Sequence, residues 1–167
     1  MSVGEHRAHG KRAVACAILT VSDTRTPETD TSGALARDLL IQFGHRLVEH
    51  TILPDEPERV REQIEAWLLS PEIEAILVNG GTGLAPRDTT YEAIAGLLEK
   101  RLDGFGELFR MLSYEQIGAA AMLSRAVAGV ARGKVVASMP GSTAAVELAM
   151  SKLLVPELGH MVKLARG

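Results

Sequence analysis

One junction, repeated along the chain, constrains this sequence most. An apolar run stops at small polar residues, and a segment of helical period begins soon after. Ala13 to Val21 carries no charge and ends in Ser22-Asp23-Thr24. Ala75-Ile76-Leu77-Val78, the centre of a strand read over 74–79, runs into Gly80-Gly81-Thr82-Gly83. Lys134 to Met139 runs into Pro140-Gly141-Ser142. Continuous apolar runs suit strands covered on both faces. Strands of this kind alternating with helices predict an α/β fold on a largely parallel sheet.

The segments between the junctions fill in the pattern. Leu35, Leu39, Leu40 and Phe43 share a helical face, and Gly44 supplies a stop. Arg46 to Leu53 reads as a second strand. Pro54-Asp55-Glu56-Pro57 then turns into a helix with Val60, Ile64, Trp67 and Leu68 on one side, ending at Ser70-Pro71. Thr89-x-x-Glu92 has the form of a capping box ahead of Ile94, Leu97 and Leu98. A turn or short helix is expected around Phe105 to Leu112. A longer, alanine-rich helix is expected from a second capping box, Ser113-x-x-Gln116, toward Ala131. Lys134 to Met139 is expected as a fourth parallel strand, and the last helix places Val146, Met150, Leu153 and Leu154 in register. Residues 1–12 read as a flexible tail and 13–167 as one domain, a size that supports a core without disulfides.

Composition excludes several functions. The net charge is -3, so no basic surface is available to replace phosphate counterions, and nucleic acid is not the expected partner. Aromatic residues make up 4%, too few for a base-stacking platform. The single cysteine, Cys16, lies in an apolar run and reads as a small buried hydrophobe, which fits a reducing, cytoplasmic setting. Lys11-Arg12 and the run after them lack a cleavage site, and no segment has the length of a membrane span. The five histidines show no metal-binding spacing, and no G-x-S-x-G elbow or Cys/His pairing points to a hydrolase.

In open parallel sheets ligands bind where strands end and helices begin. Four loops converge on that edge: 22–32, 54–57, 80–88 and 140–142. Gly80 to Gly83 lets backbone amides approach an anion, and Thr82 adds a hydroxyl. Spacing alone serves a tight turn equally well, and the run is neither a Walker A loop nor G-x-G-x-x-G. Arg87 offers a guanidinium fork to phosphate. Asp88 offers a carboxylate to Mg²⁺, or simply favours the helix start beside it. Asp55-x-x-Glu58 reads first as an N-cap; with Asp88 in the same cleft, the two carboxylates could share a magnesium ion. Pro140-Gly141-Ser142 is either a second anion cradle or a turn with Ser142 as N-cap. Ser22-Asp23-Thr24-Arg25 is a polar loop with Asp23 as turn former. Arg110 and Arg125 are further phosphate candidates.

Several runs together, in order, resemble the MoaB/Mog family. They are Leu19-Thr20-Val21-Ser22-Asp23, Asp30-Thr31-Ser32-Gly33, Gly80-Gly81-Thr82-Gly83 with Arg87-Asp88 and Glu92-Ala93, Gly104 to Arg110, Ser124 to Gly129, and Met139-Pro140-Gly141-Ser142. The resemblance covers roughly residues 13 to 160. It implies a three-layer α/β/α, MogA-like fold and a homotrimer or a hexamer built as a dimer of trimers. It also implies a molybdopterin pocket at the strand ends. In the Mog branch molybdopterin is adenylylated with MgATP, releasing pyrophosphate, and the downstream molybdenum insertion protein is then an expected partner. Two aspartates that matter for that reaction match Asp55 and Asp88, assigned to magnesium and substrate placement. Gly80 to Gly83 and Pro140 to Ser142 would hold phosphates or the pterin; Ser22, Asp23, Ser32, Arg87 and Ser124 are further contact candidates. The short C-terminal region resembles the MoaB branch, so a non-catalytic pterin-binding or scaffold protein of the same pathway is the alternative.

Overall fold

Side chains alternate across a strand, so an apolar run buried on both faces must feed two cores. The computed structural model, which describes residues 12–167, shows this partition. Ala15–Val21 form β1, Ala75–Asn79 form β3 and Lys134–Met139 form β6. Cys16, Ile18, Leu77, Val135 and Ala137 enter one core; Ala17, Leu19, Ile76, Val78 and Val136 enter the other. Arg46–Leu53 form β2, Lys100–Arg101 form β4 and Val127–Ala131 form β5. The sheet has six strands in the order β2-β1-β3-β6-β5-β4. β2, β1, β3 and β6 are mutually parallel, while β5 and β4 are antiparallel additions at one edge. The expected flexible tail over 1–12 lies, Arg12 apart, outside the described residues. Among those residues no helix is long and apolar enough to cross a membrane.

Helices cover both faces, giving the three layers. Thr31–Gln42 form α1, Pro57–Leu69 α2, Thr90–Ala95 α3, Asp103–Ile117 α4, Thr143–Ala149 α5 and Val155–Arg166 α6. α1, α4, α5 and α6 supply Leu40, Phe109, Val146 and Leu158 to the first core. α2 and α3 supply Val60, Ile64, Trp67 and Ile94 to the second. α5 runs into α6 through a π-helical turn at Met150–Leu154, which ends one residue short of Pro156, a residue with no amide hydrogen to give. Cys16 is fully buried as expected, and that burial pushes its thiol far above the usual range.

The region 103–131 departs from the sequence expectation. A single helix, α4, occupies the place of the expected turn or short helix, and Ser113 is a buried residue inside it rather than an N-cap. A 3₁₀ turn over Gly118–Leu123 follows, and then strand β5 in place of more helix. The alanines suggest helix, but Val127-Ala128-Gly129-Val130-Ala131 is short, apolar and β-branched, a pattern that periodicity cannot assign. The hairpin turn decides it. Arg132 and Gly133 have φ of 50° and 72°, the left-handed values a two-residue hairpin requires. The expected capping box at Thr89 also fails: Thr89 precedes α3, but its hydroxyl makes no cap.

Candidate functional site

β1 pairs with β2 on one side and β3 on the other, so the chain's direction of winding reverses there and a crevice opens past the strand ends. A cavity of about 490 Å³ occupies this crevice, within the range of small-molecule sites. Ser22 after β1, Gly80 to Gly83 after β3, Asp88, and Pro140 to Ser142 after β6 all line it. Ser124 joins them, together with Phe109, Ser113 and Ile117 of α4 and Leu123 of the 3₁₀ turn. The sequence pointed to the loops but not to this opposite wall, because α4 was not legible as one helix. Asp23, Ser32, Asp55 and Arg87 lie off the lining; Ser32 reaches it through Arg25 and Asn79, and the other three bond among themselves and to Thr89 and Thr90.

The glycine loop is tightly held. Gly80 (φ 100°) donates its amide to Met139 O at 3.0 Å, and a Cβ there would meet Val21 O at 2.1 Å. At Gly81 (φ 68°) a Cβ would meet Thr90 Oγ1 at 2.1 Å and Asp55 Oδ2 at 2.6 Å. Both positions therefore exclude a side chain through conformation and space together. The loop's carbonyls meet Arg125: its guanidinium donates to Thr82 O (3.0 Å), Gly83 O (2.6 Å) and, more weakly, Asp88 O (3.4 Å). Arg125 also pairs with Glu92, holding that carboxyl below its ordinary pKa, and lies 4.9 Å from the Tyr91 ring centre. This arginine is thus a loop clamp, not a free phosphate ligand. Arg110 donates to Ser124 O at 3.5 Å.

Asp55 is 6% exposed and caps nothing on α2, whose N-cap is Glu56. Its carboxylate accepts from Thr89 Oγ1 (2.9 Å), Thr89 N (3.3 Å) and Thr90 Oγ1 (3.2 Å). Its own amide donates to Asp23 Oδ1 at 3.0 Å. Asp23 in turn takes both arms of the Arg87 fork at 2.8 and 2.9 Å. Arg87, followed by the Asp55 amide, pulls the Asp23 carboxyl down to about 2. Arg87, Asp23, Asp55 and Thr89 thus form a strap joining the loop after β1, the loop after β2 and the end of the glycine loop.

Asp30, Ser32, Asn79 and Thr20, all buried, join the partly exposed His50 in a polar ring. Asp30 caps α1 through Gly33 N at 2.9 Å. Ser32 Oγ lies 3.4 Å from Asp30 Oδ1 and 3.2 Å from Asn79 Oδ1. Asn79 Nδ2 donates to Thr20 Oγ1 at 3.2 Å, and Thr20 Oγ1 is 3.1 Å from His50 Nε2. His50 Nε2 also lies 3.2 Å from Asp30 Oδ2, an ion-pair distance without a hydrogen bond, and that buried oxygen has no hydrogen-bond partner among the described residues. His50 enters through strand pairing, opposite Ile18, and no local spacing signals it. Ser142 caps α5 through Ala145 N at 3.2 Å, and Ser22 Oγ accepts from Thr24 N and Arg25 N at 3.2 and 3.1 Å. Ser124 Oγ, on the cavity lining, is buried without a hydrogen-bond partner. Among the described residues no group of three or more His, Cys, Asp or Glu side chains is placed to hold a metal ion.

Fold and site together define a sheet-edge binding domain of the α/β class, with glycine turns and an aspartate lining one cavity. Comparison with known proteins gives the class its name. Residues 17–160 match the family model described as "Probable molybdopterin binding domain". The chain is 53% identical over 164 residues to molybdenum cofactor biosynthesis protein B of Halalkalibacterium halodurans, covering 98% of this chain and 96% of that protein. It is 50% identical to the protein of the same name from Bacillus subtilis, over 98% of this chain and 96% of that one. The crystal structure of the tungsten cofactor synthesizing protein MoaB from Pyrococcus furiosus superposes with a TM-score of 0.81 at 35% identity, over 93% of this chain and 99% of that one. The chain belongs to the MoaB/Mog family of molybdenum cofactor biosynthesis proteins.

Proposed function

We propose that this protein binds molybdopterin in the sheet-edge cavity and adenylylates it with MgATP. The observation that carries this reading is the cavity lining, where Asp88 stands among the glycine turns Gly80–Gly83 and Gly141. An oxygen of the pterin's terminal phosphate attacks the α-phosphorus of ATP; the bond to the bridging oxygen of the β-phosphate breaks, and pyrophosphate leaves. Two polyanions must meet in line, so positioning and charge neutralisation matter more than covalent help. Magnesium fits the donor set, since it is commonly held by one or two carboxylates with phosphate oxygens and water. Asp88 would hold it directly. Asp55, with its oxygens engaged by Thr89 and Thr90, would act by fixing the segment that carries Asp88. The oligomer we propose is a homotrimer or a dimer of trimers, working in the cytoplasm and passing its product to the molybdenum insertion protein.

The alternative, a non-catalytic pterin carrier or scaffold, is supported by the engagement of Asp55, which leaves Asp88 as the one carboxylate on the lining. The two readings separate in one experiment: protein incubated with molybdopterin, ATP and Mg²⁺, followed by chromatography for adenylylated pterin and released pyrophosphate. Product formation supports the enzyme. Bound pterin with neither product nor affinity for MgATP supports the carrier.

A further inference from the structure

The arginines near the cavity differ in what holds them. Arg87 has its fork on Asp23, Arg125 has its fork on loop carbonyls and Glu92, and Arg110 reaches a carbonyl. Among the described residues Arg25 is the one basic side chain on the cavity lining. Its Nη1 donates to Ser32 Oγ at 3.0 Å and Thr31 Oγ1 at 3.4 Å, and lies 3.5 Å from Asp30 Oδ1. Among the described residues its Nε and Nη2 have no hydrogen-bond partner. Those two nitrogens are an edge of the fork that can take two oxygens of one phosphoryl group.

The group is also preorganised. The Arg25 backbone amide is fixed by Ser22 Oγ at 3.1 Å. Ser32, which receives Nη1, is fully buried and lies in hydrogen-bonding distance of Asp30 and of Asn79, which continues to Thr20 and His50. Asp30 directs the guanidinium without capturing it. Its Oδ1 already accepts the Gly33 amide at 2.9 Å, closer than the 3.5 Å to Arg25. A guanidinium anchored at one nitrogen and open at the others loses little freedom when an anion arrives.

We propose that Arg25 is the cation that fixes a substrate phosphoryl group in this cavity, with the polar ring serving to aim it. The proposal rests on the reading of the cavity as a site for phosphorylated substrates. The phosphoryl group belongs either to the pterin's phosphate monoester or to the nucleotide, and separate titrations tell them apart. Inorganic pyrophosphate, MgATP and molybdopterin are each titrated calorimetrically into wild type, Arg25→Gln, Arg25→Lys and Arg37→Gln. Arg37 pairs with Asp38 and lies off this cavity, on a neighbouring recess that Arg25 also borders, so it controls for net charge and for anion binding on that side.

The expected result is a loss of about tenfold to a hundredfold in pyrophosphate affinity for Arg25→Gln. Arg25→Lys keeps the charge but not the fork and recovers part of that loss; Arg37→Gln changes nothing. Whichever of MgATP and molybdopterin shows the same loss carries the phosphoryl group held by Arg25. Melting curves without ligand establish that the variants are folded, and Arg25→Lys alone carries the comparison if Arg25→Gln is not. Equal affinity of wild type and the Arg25 variants for all three ligands overturns the proposal, as does a wild type that binds no pyrophosphate. A wild type that binds pyrophosphate through Arg25 but no molybdopterin supports the Arg25 assignment and contradicts the pterin reading instead.

Discussion

Asp88 and Asp55 read alike in the sequence, each as a carboxylate beside a helix start. In the structure Asp88 lines the cavity and Asp55 is buried against Thr89 and Thr90. Their substitutions should therefore differ. Asp88→Ala is expected to abolish turnover and leave the denaturation midpoint unchanged. Asp55→Ala strands an amide and two hydroxyls, and is expected to lower stability by about 1–3 kcal/mol as well as turnover. Urea denaturation with parallel assays checks this; equal stability of the two variants would contradict it. Asp23 gives a prediction in pH. The Arg87 guanidinium holds the Asp23 carboxyl down to about 2, below the ordinary aspartate range. The strap's contribution is therefore fully present above the unfolded value and is lost as pH falls through about 2. A carboxyl ¹³C titration of Asp23 should show a midpoint near 2 in wild type, moving up toward the ordinary range in Arg87→Gln. An unchanged midpoint would remove Arg87 as the cause.

Among the elements, the strand-to-helix junctions were legible, because a strand covered on both faces has to be apolar throughout and has to stop in polar or glycine turns. β2 runs over the residues expected, and β1, β3 and β6 lie within the apolar runs. What the sequence hid was decided by distant contacts. Val127–Ala131 became a strand because β6 and β4 flank it, and at Gly129 a Cβ would meet Lys100 O at 2.1 Å. Thr89 lost its capping role to Asp55, 34 residues earlier in the chain. Arg125 looked like a phosphate ligand because charge is visible in a sequence and the carbonyls that capture it are not. The clamp gives this scale its prediction. Arg125→Lys keeps the charge but cannot serve Thr82, Gly83 and Glu92 together. Hydrogen exchange over residues 82–88 should quicken in that variant, while β3 amides keep their protection. Unchanged exchange in the loop would show that Arg125 does not hold it.

For the whole molecule, one end of the fold carries both the cavity and an uncovered apolar surface. Met111, Tyr114 and Ile117 of α4 and Met122 and Leu123 of the 3₁₀ turn are each more than half exposed, at 54%, 63%, 57%, 76% and 53%. Ile117 and Leu123 are also on the cavity lining. Apolar surface of this kind marks an interaction site, and the proposed trimer or hexamer would cover it. Sedimentation velocity should give three or six copies for wild type and a shift toward monomer for Met122→Asp; a monomeric wild type would contradict the proposed assembly. In the proposed complex the pterin's phosphate lies at the carboxyl edge of the sheet, beside the glycine loop. A crystal structure with molybdopterin bound tests it most directly. In that crystal structure the phosphate is expected within hydrogen-bonding distance of the Gly81–Gly83 or Gly141 amides, with Asp88 beside it. Pterin bound elsewhere, for example in the apolar recess between Leu102 and Leu164, with the sheet-edge cavity empty, would contradict it.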